Sequence, residues 1–453
     1  MRWAALLVLV GACFNPTFHD PTCGPNGECP SGTQCVNGTC RSDTPGDDAD
    51  VSDAVDALIP DAGNCTAQVD ECLTGTDVLR RCDGAGMTSY DVTCNWGCKT
   101  TPTPHCAQIK PAGNGGVAAN GVMPTDVDAT AGLLDVTLTG GTVTIDGNTG
   151  TFVPGRGAGT GIISGIDFQS RGPISMFRFK SLTIAAGVTV RVTGSHPVAL
   201  VADGTVTIHG IIDARGMNEM PGPGGYAGGT SSAQDGMGPG AGQGKAPTAG
   251  GGAGHGARGG FGGNGGGPGG VMYGDAPMTQ LRGGSGGGSG YLTGGKGGGG
   301  GGAIQVVSNT SIVINTGGGI NAGGQGGSSA SSGEGGGGGA GGAILLEAPT
   351  LLIYGALAVN GGGGGASNTT TPGQAGMLSR VPALGANNDG GDGGAGAVAI
   401  GQDGNAAGGG GGGAVGRIRL DTRSGTAMTT GSTLSPALTD SASTCTQGLA
   451  ALQ

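Results

Sequence analysis

Asp203, His209, Asp213, Arg215 and Glu347 are the residues whose types could cleave or eliminate a glycosidic bond. Such chemistry on a stacked-strand scaffold needs carboxylates or basic groups converging on one face, one giving a proton and another taking it or balancing charge. Neighbouring sequence repeats do not repeat any of the five. They are therefore expected to be solvent-facing strand or corner residues, as are His196 and His209 when considered as a pair. Gly283-Gly284-Ser285-Gly286-Gly287 matches the G-x-S-x-G form, yet no histidine follows it, His255 being the last. Gly290 to Lys296 has the spacing of a phosphate loop, but Gly297 stands where a magnesium-binding Ser or Thr belongs and no helix former follows. Gly393-Gly394-Ala395-Gly396-Ala397 opens like a calcium-binding nonapeptide, and Val398 then replaces the ligating Asp. No catalytic residue, metal ligand or cofactor is expected.

Cysteine carries a different chemistry. The twelve cysteines divide into Cys13, a group of four (Cys23, Cys29, Cys35, Cys40), a group of six (Cys65, Cys72, Cys82, Cys94, Cys98, Cys106) and a lone Cys445. Even groups in an exported chain are expected to form disulfides, with three pairings open to the four and fifteen to the six. Zinc would need ligand pairs of the C-x-x-C kind, whereas the closest pair is Cys94 and Cys98 with only His105 nearby. Segments this short bury little apolar surface, so each bridge, giving about 2 to 4 kcal/mol, acts as a staple.

Export is legible at the N-terminus. Met1 and Arg2 give a positive start, Trp3 to Val10 an apolar run, and Gly11 and Ala12 small residues at a cleavage position, so residues 1–12 are expected to be a signal peptide. The run is shorter than the roughly 20 apolar residues that span a bilayer, and no later segment is long and apolar enough. Val10-Gly11-Ala12-Cys13 resembles the bacterial lipobox, which implies that Cys13 carries the lipid anchor. Several acyl chains would hold it, since each buried CH₂ gives only about 0.8 kcal/mol. Phe14 follows where Asp would signal inner-membrane retention, which favours the outer membrane.

The net charge of -11 is largely local, because Asp43, Asp47, Asp48, Asp50, Asp53, Asp56 and Asp61 crowd into one stretch. That stretch, residues 42–63, is expected to be a self-repelling disordered linker, and it lacks the spacing of an EF-hand. Aromatic residues make up 3% and no basic stripe exists, which excludes nucleic acid as a partner.

The elements that would position any site begin near Val117, where Val136-Thr137-Leu138-Thr139 and Thr142-Val143-Thr144-Ile145 alternate with the period of strands. A longer unit then repeats. Ala303 to Val306, Ile312 to Ile314 and Ile320 to Asn321 are echoed by Ala343 to Leu346, Leu351 to Ile353 and Leu357 to Val359. Val206 to Ile208 with Ile212 to Ala214 is an earlier copy, and Gly416 to Leu420 begins a last one. Strands with two or three inward residues must stack to bury them, which predicts a parallel β-solenoid. Alternation puts Ile344, Leu346, Leu351, Ile353, Leu357 and Val359 inside and points Leu345 and Glu347 out. Gly210 and Gly355 are expected at corners with positive φ. The tracts Gly222 to Gly302, Gly323 to Gly342 and Gly361 to Gly413 leave one corner as excursions, either disordered or packed as polyproline-II strands. The three-residue spacing of Gly256, Gly259, Gly262 and Gly265 fits the latter.

Taken together, the Val10 to Cys13 motif, the spaced cysteines, and Gly297 to Ile304 with Gly335 to Ile344 resemble predicted myxobacterial lipoproteins with a lipobox, small Cys modules, an Asp/Ala linker and GGGGGGAI-type repeats. The glycine tracts are also similar to mycobacterial glycine-rich surface repeats, whose characteristic N-terminal domain has no counterpart here. The resemblance implies a surface location and no particular activity. The expected organisation is a signal peptide (1–12), a lipidated four-Cys module (13–41), the linker (42–63), a six-Cys module (64–110), an all-β, glycine-rich solenoid (111–436) and a C-terminal tail (437–453). The expected role is a non-enzymatic envelope lipoprotein with structural, adhesive or surface-contact work. Its partners would be the membrane, through the anchor, and surface polysaccharide or matrix. A carbohydrate-binding or carbohydrate-active β-helix protein is the alternative.

Overall fold

The computed structural model describes the backbone of residues 33–36 and 39–42, and residues 69–82, 89–112, 120–405, 408–440 and 444–453. Residues 1–12, Cys13, Cys23, Cys29, residues 43–63 and Cys65 lie outside the described residues. Thr33–Val36 and Thr39–Ser42 pair as an antiparallel hairpin that sets Cys35 opposite Cys40. Residues 69–81 and 91–453 form a separate compact unit.

Short Val/Ile/Thr-rich segments stack in this second unit into three sheets, and among the described residues no strand is longer than six residues. The first sheet has eight strands. Gly161–Ile163, Ile166–Arg171 and Ile174–Phe179 join antiparallel. Val198–Ala202, Ala303–Ser308, Ala343–Ala348, Arg417–Thr422 and Cys445–Leu449 then add in parallel. The second sheet stacks Asp135–Leu138, Ser181–Ile184, Val206–Ile208, Ser311–Ile314 and Thr350–Ile353, all parallel. The third runs from the antiparallel pair Thr151–Val153 and Thr142–Asp146 through Thr189–Thr193, Ile211–Asp213, Gly319–Asn321 and Ala356–Ala358 to Thr433–Ser435. One strand from each sheet makes a rung, so the fold is a parallel β-solenoid.

Stacking in register turns each inward position into a column: Phe177, Leu200, Val306, Leu346 and Leu420 in the first sheet, and Leu138, Ile184, Ile208, Ile314 and Ile353 in the second. All six residues expected inside the rung of residues 343–359 are in this core. Cys445 lies over Ile418 as a buried free thiol at the last strand, where burial pushes it up to about 12. It packs as an apolar side chain.

Leu345 and Glu347 do project from the opposite face, but that face is covered rather than solvated. Leu345 belongs to a second core with Met176, Ala199, Val201 and Val307, closed over by Trp96, Ala107, Ile109, Ala112, Val122, Met278 and Leu281. Glu347 is only 2% exposed. The cover is continuous with the disulfide region: Cys72–Cys98 and Cys94–Cys106 are bridged, and Cys82 is also disulfide-bonded. Beyond Cys106 the chain pairs with the C-terminus, Ile109 opposite Leu452 and Lys110 N–H donating to the Ala451 carbonyl.

The glycine tracts are ordered. They leave from the third-sheet strands and return into the first-sheet strands of the next rung. Along residues 334–342 the N–H groups serve three neighbours in turn: Gly335, Gly338 and Gly341 donate to Gly408, Gly411 and Ala414; Gly336, Gly339 and Gly342 to Ser328, Gln325 and Ala322; Gly337 and Ala340 to Gly288 and Ser285. A three-residue period is the geometry of polyproline II, whose N–H groups point outward at successive thirds of a turn. The Cα groups point between those bonds, so a Cβ on Gly337, Gly338 or Gly339 would run into the carbonyl of Gly251, Gly362 or Gly299. The segment 335–342 thus has six neighbours, and its glycines leave no space for a side chain. Gly259 and Gly262 follow this rule, while Gly265, at φ +71, turns the chain with nothing near its missing Cβ. Gly210 and Gly355 need close approach, not positive φ, because a Cβ on either would meet backbone carbonyls such as those of Ala185 and Asn315.

Gly337→Ala should therefore lower the thermal midpoint by several degrees or more, since Cβ and carbonyl cannot share one position. Gly157→Ala, whose Cβ would have nothing within 4 Å, should leave the midpoint unchanged or slightly raised. Scanning calorimetry separates the two, and equal midpoints would contradict the packed bundle.

Candidate functional site

The residues first considered for catalysis are dispersed and occupied. Asp213 on the third sheet is buried, and Arg215 grips it with Nε at 2.9 Å and Nη2 at 3.1 Å, while Arg191 adds a contact at 3.2 Å. Burial raises its carboxyl, but the Arg215 hydrogen bonds and both arginine charges outweigh that and hold it below its ordinary value. The expected solvent-facing position for Asp213 is thus corrected, as it is for Glu347. Asp203 accepts from Asn309 Nδ2 at 3.3 Å, and Asn309 in turn receives the Trp96 indole N–H and the Asn95 amide at 2.9 Å. His209 is exposed, with Asn315 at 3.5 Å, and His196 is half-buried. Ser285 is packed inside the glycine bundle, where its hydroxyl accepts from Gly240 N–H, and Lys296 pairs with Glu219 at 2.9 Å.

Glu347 is the most perturbed carboxyl. The Ala112 N–H and the Gln305 amide donate to its two oxygens, each at 2.6 Å. Burial, reinforced by the charge of Asp421 one rung away, pushes it up to about 8. Burial raises Asp421 to about 6 against the attraction of Arg419, which lies at 2.7 Å. Gln305 Oε1 is buried without a partner among the described residues. These groups fasten the backbone at Ala112 to the solenoid.

In the bundle, His255 Nδ1 donates to the Gly341 carbonyl at 2.7 Å and its ring stacks on Tyr273 at 4.6 Å. Burial lowers it to about 4. Arg417 donates to the Tyr273 carbonyl, locking this group where the tract 408–416 enters its strand. The imidazole is a packed, neutral element.

The clefts differ in what they leave unpaired. One of about 450 Å³ lies among Arg81, Asn95, Trp96, His105, Gln108 and Asp128. Its carboxylate already receives the Gln108 amide at 3.2 and 3.1 Å. Another, about 500 Å³, is floored by Met217, Met220 and Pro221 beside Arg191, which is committed to Asp213. A third, about 360 Å³, is lined by Asn120, Pro173, Gly224, Tyr226, Gln280, Leu281 and Arg282. Asn120 is 3% exposed, its Oδ1 accepts the Leu281 N–H at 2.8 Å, and its Nδ2 has no partner among the described residues. That cleft is the candidate binding site. Nothing in the local sequence marks Asn120, because it comes to Leu281 only through folding.

The chain matches no family model, no curated protein and no solved structure. Among the described residues no cluster of His, Cys, Asp and Glu could hold a metal ion, and no helix is long and apolar enough to cross a membrane.

The buried carboxyls fix a pH dependence. Glu347 holds its proton more tightly folded, at about 8, than at its ordinary 4.5, so its contribution is full below about pH 4.5 and is lost as pH rises through 8. Asp421 acts in the same direction between 3.8 and about 6. His255 acts oppositely, its contribution being present above 6.5 and lost as pH falls through about 4. Glu347→Gln should consequently be more stable than wild type at pH 8.5 and nearly equal at pH 5. Urea midpoints at the two pH values measure this, and a variant that tracks wild type at both would show that Glu347 does not titrate within the fold.

Proposed function

We propose that this protein is a non-enzymatic envelope lipoprotein, held to the outer membrane through Cys13 and contacting surface polysaccharide or matrix with its folded body. The observation that carries the proposal is the glycine bundle: three tracts of low-complexity sequence are organised into one backbone-bonded body continuous with the solenoid. A rigid body with few reactive side chains suits structure and contact. Further support comes from Asp213 and Glu347, which belong to different sheets and are each held by structural partners. The disulfides support an oxidising compartment, as expected for export. The lipobox-like run supports the anchor and orients the chain with its cysteine-rich end toward the membrane.

Cys13→Ala should abolish incorporation of a palmitate analogue and move the protein from membranes to the soluble fraction. Unchanged incorporation would refute the anchor. For the contact role, the purified protein should sediment with insoluble envelope polysaccharide and release no soluble sugar from it. Reproducible release of sugar, lost in Asp213→Ala, would replace the proposal with a carbohydrate-active enzyme.

A further inference from the structure

We infer that the cleft around Asn120 and Arg282 binds a carboxylate-bearing sugar ring of an acidic polysaccharide. The assignment deepens the surface-contact function proposed above and rests on it for the source of the ligand.

Three features of the cleft select that chemistry. The first is Asn120. Because its Oδ1 is taken by the Leu281 N–H, the assignment of the amide is fixed and the remaining group is a pure donor, buried and unpaired. A buried donor without an acceptor is costly, and because this one has almost no accessible surface, a ligand oxygen pairs with it once the side chain shifts toward the cleft. The second is Arg282, an exposed guanidinium at the same cleft, tethered by the Gln280 side chain and with no acidic partner among the described residues. In a chain of net charge -11, Arg80, Arg178, Arg215, Arg380 and Arg423 all have carboxylate partners. Among the described residues no Asp or Glu lines this cleft. A guanidinium fork without an acidic partner matches a carboxylate with two parallel hydrogen bonds. The third is the half-buried Tyr226, an aromatic residue with a polar hydroxyl that lines the same cleft together with Pro173. Amide and guanidinium donors together with an aromatic ring in one lining suit a ligand ring with polar edges and an apolar face. At about 360 Å³ the cleft lies at the small end of ligand sites, which span roughly 300–1,000 Å³. It therefore takes one or two rings of a longer chain rather than enclosing an oligosaccharide.

The test is a titration of the full-length protein with a galacturonate trimer and, separately, with the neutral galactose trimer of the same linkage, followed by calorimetry. The acidic trimer should bind saturably, and the neutral trimer about tenfold more weakly or worse, because the charge-assisted bonds are missing. Arg282→Gln, an exposed substitution, should weaken the acidic trimer to the level of the neutral one. Asn120→Asp keeps the acceptor for Leu281 N–H while removing the donor, and should weaken both trimers. If that variant fails to fold, Arg282→Gln decides alone. No saturable binding of the acidic trimer, equal binding of the two trimers, or undiminished binding by Arg282→Gln would each overturn the assignment. Sedimentation with whole polysaccharide distinguishes the two levels. A protein that still sediments while the trimer fails keeps its surface-contact role and loses this cleft; one that binds the trimer but does not sediment keeps the cleft and loses the wider role.

Discussion

A backbone removed from water must find a partner for every N–H and every carbonyl, and in this molecule that requirement is met without side chains over much of the chain. Each hydrogen bond contributes on the order of 1 kcal/mol net, while each glycine loses more conformational freedom on folding than any other residue. Isolated glycine strands therefore have no reason to order. A bundle in which one strand serves three neighbours through its N–H groups and approaches three more through its Cα groups satisfies the backbone in all directions at once. The close approach also favours weak Cα–H to carbonyl contacts, which recur wherever strands lie this near.

The solenoid supplies what the bundle cannot supply for itself, which is register. The tracts before Ala303, Ala343 and Arg417 enter strands that are already neighbours in the first sheet. Parallel pairing there carries back into the glycine tracts: Gly298 donates to Gly337, and Gly338 to Gly411. The aliphatic columns thereby set the spacing of a region in which glycine leaves few aliphatic residues to do so. His255, Tyr273 and Arg417 mark the boundary, where a stacked ring pair and a guanidinium tie bundle to strand. On the other side, the disulfide-stapled segment and the C-terminal residues cover the outer face of the first sheet.

What the sequence disclosed follows from which physics is local. Alternation identifies the side of a strand, so Ile344, Leu346, Leu351 and Ile353 were readable as interior. It does not reveal what lies across the other side, so Leu345 and Glu347 looked solvated when a distant segment buries them. Asp213 was misplaced for a related reason: Arg215 lies two residues on, but Arg191, which adds the second cation, sits one rung away, beyond any local pattern. The glycines at 210 and 355 were recognisable as corners, but the reason, close approach by carbonyls from another rung, is tertiary. The three-residue period of the bundle showed at Gly256, Gly259 and Gly262, but glycine fills so many neighbouring positions that the spacing alone did not separate an ordered tract from a disordered one. The Asn120 cleft was not legible at all, since it joins residues from separate excursions of the chain.

Amide hydrogen exchange resolved by mass spectrometry tests the central claim most directly, because it reads the hydrogen bonds on which the bundle depends. Peptides covering 249–256 and 334–342 should be protected to the same degree as the strand peptide 343–353, with Gly431, at a positive-φ turn with open space around it, exchanging fast. Protection of 343–353 alone, with the glycine peptides exchanging at the rate of an unstructured chain, would contradict the bundle and leave only the solenoid.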